Sequence, residues 1–195
     1  MIKLLLFLLF IVSALTIVKV ILSDRHNKEH INYTERSISS YNRNQGVTIT
    51  ETMANDVASR FSLAFEALPS QDFKQKFDAL FSDNLDYVND TLGEHHSKSS
   101  LAAYFLPMSE RVTRMNIDMI SVHYSNDSLY LHWNMTFTMN VIGTSIPIKS
   151  SGISHLKCDD RGAIIYQQDY WDPNNGLYRN LPYIGWLYRW LLPLK

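Results

Sequence analysis

The chain is poor in the residue types that build disulfide, metal and nucleic-acid sites. Its 195 residues include a single cysteine, Cys158, which excludes an internal disulfide, and no Cys/His cluster has the spacing of zinc ligands. Eighteen Lys and Arg against nineteen Asp and Glu give a net charge of −1, so no basic footprint for nucleic acid is visible. We therefore expect no metal, no organic cofactor and no nucleic-acid partner.

Glycine and proline are also scarce, with seven and six residues, which excludes collagen-like and low-complexity chains. What is present is a hydrophobic share of 46%, with 12% aromatic residues, as is typical of a globular protein. A chain of this length suffices for one domain of ordinary size and a tether, and it is too short for two full domains.

An apolar run near the start, from Leu4 to Leu22, contains only three residues among nineteen that are not apolar. A helix of this length spans roughly 28 Å, close to the ~30 Å hydrocarbon core of a bilayer. The sequence therefore predicts a single-pass transmembrane anchor over residues 1–23, with the domain on the extracytoplasmic side. The alternative is a signal peptide cleaved at Val12-Ser13-Ala14, which would leave a secreted protein. Leu15–Leu22 stays apolar beyond that site, which favours the anchor.

Residues 24–50 are polar and are interpreted as a linker between this run and the domain. The domain, residues 51–176, begins with stretches in which apolar residues recur at three- and four-residue spacing, the pattern of an amphipathic helix. The predicted helices cover Thr52–Leu68, Gln71–Phe81 and Ser99–Arg111.

The hydrophobic pattern then changes its period from that of a helix to that of a strand. In Leu129–Asn140 every odd position is apolar, which predicts a strand with one buried face. Three helices followed by four long antiparallel strands predict an α+β fold, in which a curved antiparallel sheet wraps around the helices. The predicted strands are a short one over Leu85–Val88, then Ile117–Tyr124, Leu129–Asn140, Ile146–Cys158 and Ala163–Trp171.

Several short motifs follow one another along this domain in a familiar order. They are Ala79-Leu80-Phe81-Ser82-Asp83, Asp86-Tyr87-Val88-Asn89-Asp90 before Leu92-Gly93, Leu101-Ala102-Ala103-Tyr104-Phe105, Gly152-Ile153-Ser154-His155-Leu156, and Gly162-Ala163-Ile164-Ile165 leading to Asp169-Tyr170-Trp171-Asp172. Over roughly residues 52–172 the chain resembles the SnoaL-like branch of the nuclear-transport-factor-2-like superfamily. The resemblance implies a cone-shaped half-barrel around a mostly apolar pocket. It does not select a function, because this fold hosts isomerases, cyclases, hydrolases, transport factors and assembly modules.

The resemblance also suggests catalytic residues. Asp90 matches the carboxylate base of the superfamily's steroid isomerases, but Phe61 and Ser154 stand where those enzymes place their oxyanion-hole acids. Without these acid donors an enolate would lack its main electrostatic stabilisation, so steroid-type isomerisation is disfavoured. Asp169 matches the acid/base Asp that SnoaL-type polyketide cyclases place on the last strand.

Each of these residues also has a structural interpretation. Asp169 either faces the pocket with a raised pKa, or caps the strand end, or pairs with Arg179. Asp90 is more often a turn former than a base. His155 neighbours Ser154 on a strand and therefore points to the opposite face, which predicts a surface histidine.

The favoured function is the binding of a small apolar or amphipathic molecule in the pocket of a membrane-tethered domain. One alternative is an acid/base enzyme of the cyclase or isomerase type that uses Asp169. The other is a non-catalytic protein-assembly module, in which Trp133, Phe137 and Tyr170 would fill the cavity. The expected pocket residues are Trp133, Phe137, Tyr104, Phe61, Tyr170 and Ser154.

The C-terminal segment, residues 177–195, is rich in Tyr, Trp and Leu, and all of its charged side chains are cationic. Such a segment suits the membrane interface, where aromatic rings favour the headgroup zone. The alternative is that it packs on the sheet or on a second subunit, since the fold is compatible with a homodimer. The sequence thus predicts membrane lipid as a partner of residues 4–22 and, in one of two interpretations, of residues 177–195.

Overall fold

The computed structural model describes residues 33–89, 93–141, 143–182 and 185–191. The chain divides into two units, Met1–Arg43 and Asn44–Lys195. The predicted anchor over residues 1–23 lies outside the described residues. Within the described ranges, no helix has the length and apolar character needed to cross a bilayer.

The segment interpreted as a linker, residues 24–50, is described from residue 33 onward and is ordered in two different ways. Residues 33–43 are helical. Further on, the backbone amide of Val47 donates to the carbonyl of Cys158 at 3.0 Å, and that of Ile49 donates to Asn126 at 2.7 Å. The linker prediction was therefore wrong for residues 47–49. Backbone pairing of this kind needs few apolar side chains, so a polar composition does not reveal it.

Three helices cover the inner face of the sheet, and each begins within one or two residues of its predicted start. Thr50 caps the first helix by accepting a hydrogen bond from the Met53 amide at 3.2 Å, and Ser97 caps the third through the Ser100 amide at 3.1 Å. The apolar stripe of the first helix faces the core, where Phe61 and Phe65 are buried. The helices are α1 (Glu51–Glu66), α2 (Phe73–Leu80) and α3 (Lys98–Ser109).

Six strands form one sheet, in the spatial order β2-β1-β6-β5-β4-β3. All neighbouring pairs are antiparallel except β1 and β6, which run parallel. The prediction of an antiparallel sheet was wrong at this pair, because α3 and four strands lie between β1 and β6 in sequence and return the chain in the same direction. The strands are β1 (Phe81–Asn89), β2 (Gly93–His95), β3 (Val112–Ser125), β4 (Ser128–Val141), β5 (Thr144–Cys158) and β6 (Ile164–Trp171).

The two faces of β4 are buried and exposed as its alternating sequence predicts. On β4, Leu129, Leu131 and Trp133 are buried, whereas the even residue Tyr130 is exposed. The core lies between this inner face and the helices, where the rings of Phe65, Phe73, Phe77 and Phe105 meet at centroid distances of 5.3–6.3 Å. The fold is therefore α+β, with a curved sheet around several helices.

After β6 the chain forms three short helical elements: α4 (Pro173–Gly176), a 3₁₀ turn (Tyr178–Asn180) and α5 (Gly185–Leu191). Asp172 caps α4 by accepting from the amides of Asn174 and Asn175. The side chain of Arg189 on α5 donates to the carbonyl of Arg179 in the 3₁₀ turn, which ties these two elements together.

Candidate functional site

A cavity of about 360 Å³ lies between the helices and the inner face of the sheet. Of the residues predicted to line the pocket, Phe61, Tyr104, Trp133 and Phe137 do line this cavity, and so does Asp169. Four methionines also contribute, and their flexible side chains can adapt to ligands of different shape. They are Met108, Met115, Met135 and Met139.

Asp169 is the one carboxylate among the described residues that line the cavity, and its exposed fraction is 9%. Its Oδ1 accepts hydrogen bonds from Ser154 Oγ at 2.6 Å and Gln167 Nε2 at 2.9 Å. Its Oδ2 accepts from Tyr87 Oη at 2.8 Å and Asn89 Nδ2 at 3.4 Å. The strand register brings these groups together, because Asn89 on β1 and Ser154 on β5 both lie opposite Asp169 on β6.

Burial determines the acid–base properties of this cluster. Desolvation raises the pKa of the Asp169 carboxyl above its ordinary value, although all four hydrogen bonds act to lower it. Burial and the adjacent Asp169 charge also raise the pKa of the Tyr87 phenol well above its ordinary value. Tyr87 therefore keeps its proton, and its hydroxyl stays a donor to the carboxylate.

Two tryptophans hold the donors in place. Trp133 Nε1 donates to Ser154 Oγ at 2.9 Å, and Trp171 Nε1 donates to Asn89 Oδ1 at 3.4 Å. The Trp133 ring lies against Gly152, where an added Cβ would be 2.6 Å from the ring. Only glycine leaves room for the indole in this position.

Two further polar side-chain atoms, near the cavity or near Asp169, are buried without a hydrogen-bond partner among the described residues. Ser150 lines the cavity, and its hydroxyl is buried without a hydrogen-bond partner among the described residues. The Gln167 side-chain oxygen is also buried without such a partner, but Gln167 does not line the cavity. In a folded protein such atoms are usually satisfied, so the Ser150 hydroxyl is a candidate contact for a bound molecule or for water. The described residues bring no three His, Cys, Asp or Glu side chains together as a metal site.

Other predicted site residues lie elsewhere. Tyr170 is 50% exposed on the outer face of the sheet, because it follows the inward Asp169 on the same strand; its placement in the pocket was wrong. Ser154 is fully buried behind Asp169 and does not line the cavity. Asp90 lies outside the described residues.

His155 lies on the face opposite Ser154, as the alternation predicts, but it is 7% exposed and not a surface residue. The Tyr130 ring stacks on it at a centroid distance of 4.5 Å, and Ser128 Oγ is 3.1 Å from its Nε2. Burial, together with the nearby Lys157 charge, lowers the pKa of His155 to about 4. Alternation predicts the face of a residue but not what covers that face, which explains the error.

Sequence reasoning missed Tyr87, Asn89 and Gln167 as partners of Asp169. A signal was present, since Gln167 and Asp169 are two residues apart on a predicted strand, and Asn89, two residues after Tyr87, directly follows another one. Pairs of polar residues at this spacing on one strand share a face. Recognising the cluster also required the pairing of β1 with β6.

Solved structures of similar fold come from several bacteria. An LEH-like epoxide hydrolase from M. tuberculosis shares 17% identity with a TM-score of 0.53, over 64% of this chain and 82% of that one. TsrD from Streptomyces laurentii shares 13% identity with a TM-score of 0.55, over 69% of this chain and 98% of that one. A protein with a ketosteroid isomerase-like fold from Catenulispora acidiphila, in complex with trimethylamine, shares 12% with a TM-score of 0.52, over 64% and 91%. At these identities the likeness concerns the fold alone.

No curated protein sequence matches the chain. The sequence does match a family of known domains, described as SnoaL-like, over residues 61–167. This range runs from the middle of α1 to the middle of β6 and contains the strands that surround Asp169. The chain therefore belongs to the SnoaL-like domain family of the nuclear-transport-factor-2-like superfamily.

Proposed function

We propose that this domain binds a small, largely apolar molecule with a polar group that contacts Asp169. The observation that carries the proposal is the cavity of about 360 Å³, whose mostly apolar wall contains one buried carboxylate among the described residues. Ligand sites are typically concave and apolar, with a few polar groups that fix the orientation of the ligand. The volume lies near the lower end of the range for such sites, which favours a small ligand.

The open cavity favours ligand binding over the assembly-module alternative. In that alternative, Trp133, Phe137 and Tyr170 would fill the space. Trp133 and Phe137 instead lie along its wall, and Tyr170 is on the other face of the sheet. A filled core is the more stable arrangement, so an open cavity beside a buried carboxylate suggests that a ligand occupies it.

The ligand we propose is amphipathic. Arg111 also lines the cavity and is exposed, so it marks the solvent side. Among the described residues its guanidinium has no hydrogen-bond or ion-pair partner. An anionic group at Arg111 and a hydrogen-bond donor at Asp169 would complement the two polar regions, with the apolar body of the ligand against the methionines.

Binding can be tested with the anionic apolar probe 1-anilinonaphthalene-8-sulfonate and a fragment that begins at Asn44. This fragment is a unit of its own, and whole solved proteins share its fold. We expect saturable fluorescence enhancement, weakened about tenfold or more in Met135→Trp, which fills the cavity. Asn134→Trp is the matched control, because Asn134 is exposed on the opposite face of the same strand.

Equal binding by Met135→Trp and the wild type would place the probe elsewhere and refute the cavity as its site. Arg111→Gln tests the anionic end of the ligand separately. This variant should weaken the sulfonate probe and leave the uncharged probe 6-propionyl-2-dimethylaminonaphthalene unaffected. Equal loss of both probes would contradict the role proposed for Arg111.

The second candidate function is acid/base catalysis by Asp169. The observation that favours it is the raised pKa of a carboxyl that faces a ligand cavity. Oδ2 is the oxygen we assign to proton transfer, because its contact with Asn89 is the longest of the four and the easiest for a ligand to replace. A solved protein of the same fold is an epoxide hydrolase, and epoxides are among the substrates to screen.

Asp169→Asn separates the two functions. If the domain only binds ligands, this variant should change the affinity for ligands that donate a hydrogen bond to Asp169, and neither the wild type nor the variant should show turnover. For an enzyme, it should abolish turnover while apolar ligands still bind. Asp172→Asn is the control, because Asp172 is the cap of α4 and has no contact with Asp169. Turnover that survives in Asp169→Asn would exclude the acid/base role.

A further inference from the structure

The C-terminal helix α5 presents large apolar side chains to solvent. Trp186 is 62% exposed, Trp190 is 71% exposed, and Leu187 between them is 39% exposed. Trp186 and Trp190 are four residues apart on a helix, so their side chains lie on the same side, one turn apart. We call Trp186, Leu187 and Trp190 the indole patch.

We propose that the segment Leu177–Leu191 docks on the surface of an anionic lipid bilayer, with the indole patch in the headgroup region. Indole combines an apolar ring with an N–H donor, and this combination favours the boundary between headgroups and acyl chains. Large apolar side chains exposed together on a helix call for a partner.

The charge of the segment identifies the partner as anionic. From Leu177 to the end of the sequence there is no Asp or Glu, whereas Arg179, Arg189 and Lys195 are cationic. This cationic stretch occurs in a chain with a net charge of −1. The contact between Arg189 and the Arg179 carbonyl holds the 3₁₀ turn against α5, so the two arginines belong to one structural element with the indole patch. Cations beside a membrane surface add favourable energy when the lipids are anionic.

The same charge argues against a second copy of the chain as the occupant. Two copies that met patch to patch would place Arg189 of each close to the cations of the other. Like charges at an interface are unfavourable, and no acidic residue of this segment could compensate for them. An anionic lipid surface has an apolar acyl-chain region beneath negatively charged headgroups, and the segment complements both.

The predicted anchor at residues 4–22 would make docking easier. A chain already held at a bilayer presents its other surfaces at high local concentration, so even a short amphipathic segment binds. The segment also begins beside the cavity, since Leu177 is one of the lining residues. Docking would bring this side of the cavity close to the lipid phase.

The test uses the full chain reconstituted into phosphatidylcholine vesicles that contain phosphatidylglycerol and a lipid brominated high on its acyl chain. Bromine quenches tryptophan emission only at short range. The chain has four tryptophans, and we expect Trp186 and Trp190 to be quenched. The double variant Trp186→Phe/Trp190→Phe should lose most of this quenching, and Trp190→Phe alone should roughly halve it, because the two indoles share one depth.

Trp171→Phe is the matched control, because Trp171 lies in the cavity wall and should not reach lipid. This variant should keep the wild-type bromine quenching. In vesicles of phosphatidylcholine alone, the quenching of Trp186 and Trp190 should be weaker, since the attraction between the arginines and anionic headgroups is then absent.

Two outcomes would overturn the proposal. The first is equal bromine quenching in the wild type and the double variant, which would mean that Trp186 and Trp190 do not touch lipid. The second is emission from these residues that shifts to the blue with protein concentration while bromine has no effect. That result would show that protein, either a second copy or another chain, covers the indole patch. Both indoles are mostly exposed, so the variants should fold, and far-ultraviolet circular dichroism of each variant verifies this.

Discussion

The phenol of Tyr87 donates a 2.8 Å hydrogen bond to Oδ2 of Asp169, 82 positions later in the chain. Both side chains are buried, at 1% and 9% exposure. Desolvation raises the pKa of each, and the tyrosine still titrates far above the carboxyl. Over the physiological range the phenol therefore supplies the proton of this bond, and the carboxyl can change its charge without loss of its partner.

Removal of the Tyr87 hydroxyl should raise the pKa of Asp169 further. The bond from Tyr87 stabilises the charged carboxylate and lowers its pKa, so Tyr87→Phe should shift the pKa of Asp169 upward. The measurement is a pH titration of the Asp169 carboxyl carbon by NMR. Tyr104→Phe is the control, because Tyr104 lines the same cavity and does not bond to Asp169. A normal pKa for Asp169 in the wild type would contradict the description of its burial.

Gly152→Ala should displace Trp133, which supports the hydrogen bonds around Asp169. The new Cβ would lie 2.6 Å from the Trp133 ring and 2.8 Å from the Tyr170 carbonyl oxygen, so the indole must move. We expect a loss of about 1–3 kcal/mol in the free energy of unfolding, as for other overpacked cores, and a weaker bond from Trp133 to Ser154. Urea unfolding and the near-ultraviolet circular dichroism of tryptophan report the two effects. Lys149→Ala, at an exposed position of the same strand, should leave both unchanged.

His155 should make the protein sensitive to mild acid. Its pKa is about 4 in the folded chain and 6.5 in a free histidine, so the unfolded state takes up a proton first as the pH falls. Stability contributed by the neutral histidine is present above pH 6.5 and is lost as the pH falls from there towards 4. Between about pH 7 and about pH 5, protonation linked to this residue alone should lower the free energy of unfolding by about 2 kcal/mol.

The check is urea unfolding of the wild type and His155→Gln at both pH values. The variant should lose less stability between them than the wild type does. His132→Gln serves as the control, because His132 is half-buried on the outer face of the neighbouring strand. Equal pH dependence in the wild type and His155→Gln would show that His155 does not titrate as described.

Cys158 should be inert in the native protein. Its side chain is fully buried, and burial raises the pKa of the thiol to about 12. Since the thiolate is the reactive form, iodoacetamide should label Cys158 only after urea unfolding. Asn134→Cys adds a thiol at an exposed position and should be labelled at once in the folded protein. Fast native labelling of Cys158 in the wild type would mean that the end of β5 opens readily.

Local patterns predicted most of the elements and failed where distant segments meet. The alternation in Leu129–Asn140 correctly placed Trp133 on the inner face, because a period of two fixes the face of each residue. The same rule, applied to Tyr170, would have placed it outside the pocket. The parallel pairing of β1 with β6 has no local signature, since nothing near Tyr87 indicates which strand will lie beside it. The Asp169 cluster depends on that pairing and was therefore recognised only in part.

The position of β6 has a consequence for synthesis of the protein. It is the last strand of the sheet in sequence, yet it lies between β1 and β5. Until the ribosome has released β6, both of its neighbours have unpaired backbone edges, and such edges can join other nascent chains. Its insertion must also close contacts over a long stretch of sequence, which is a slow step in folding. Chaperone capture and aggregation of nascent chains should therefore be greatest in those that end just before Ile164 and should fall once Trp171 has emerged.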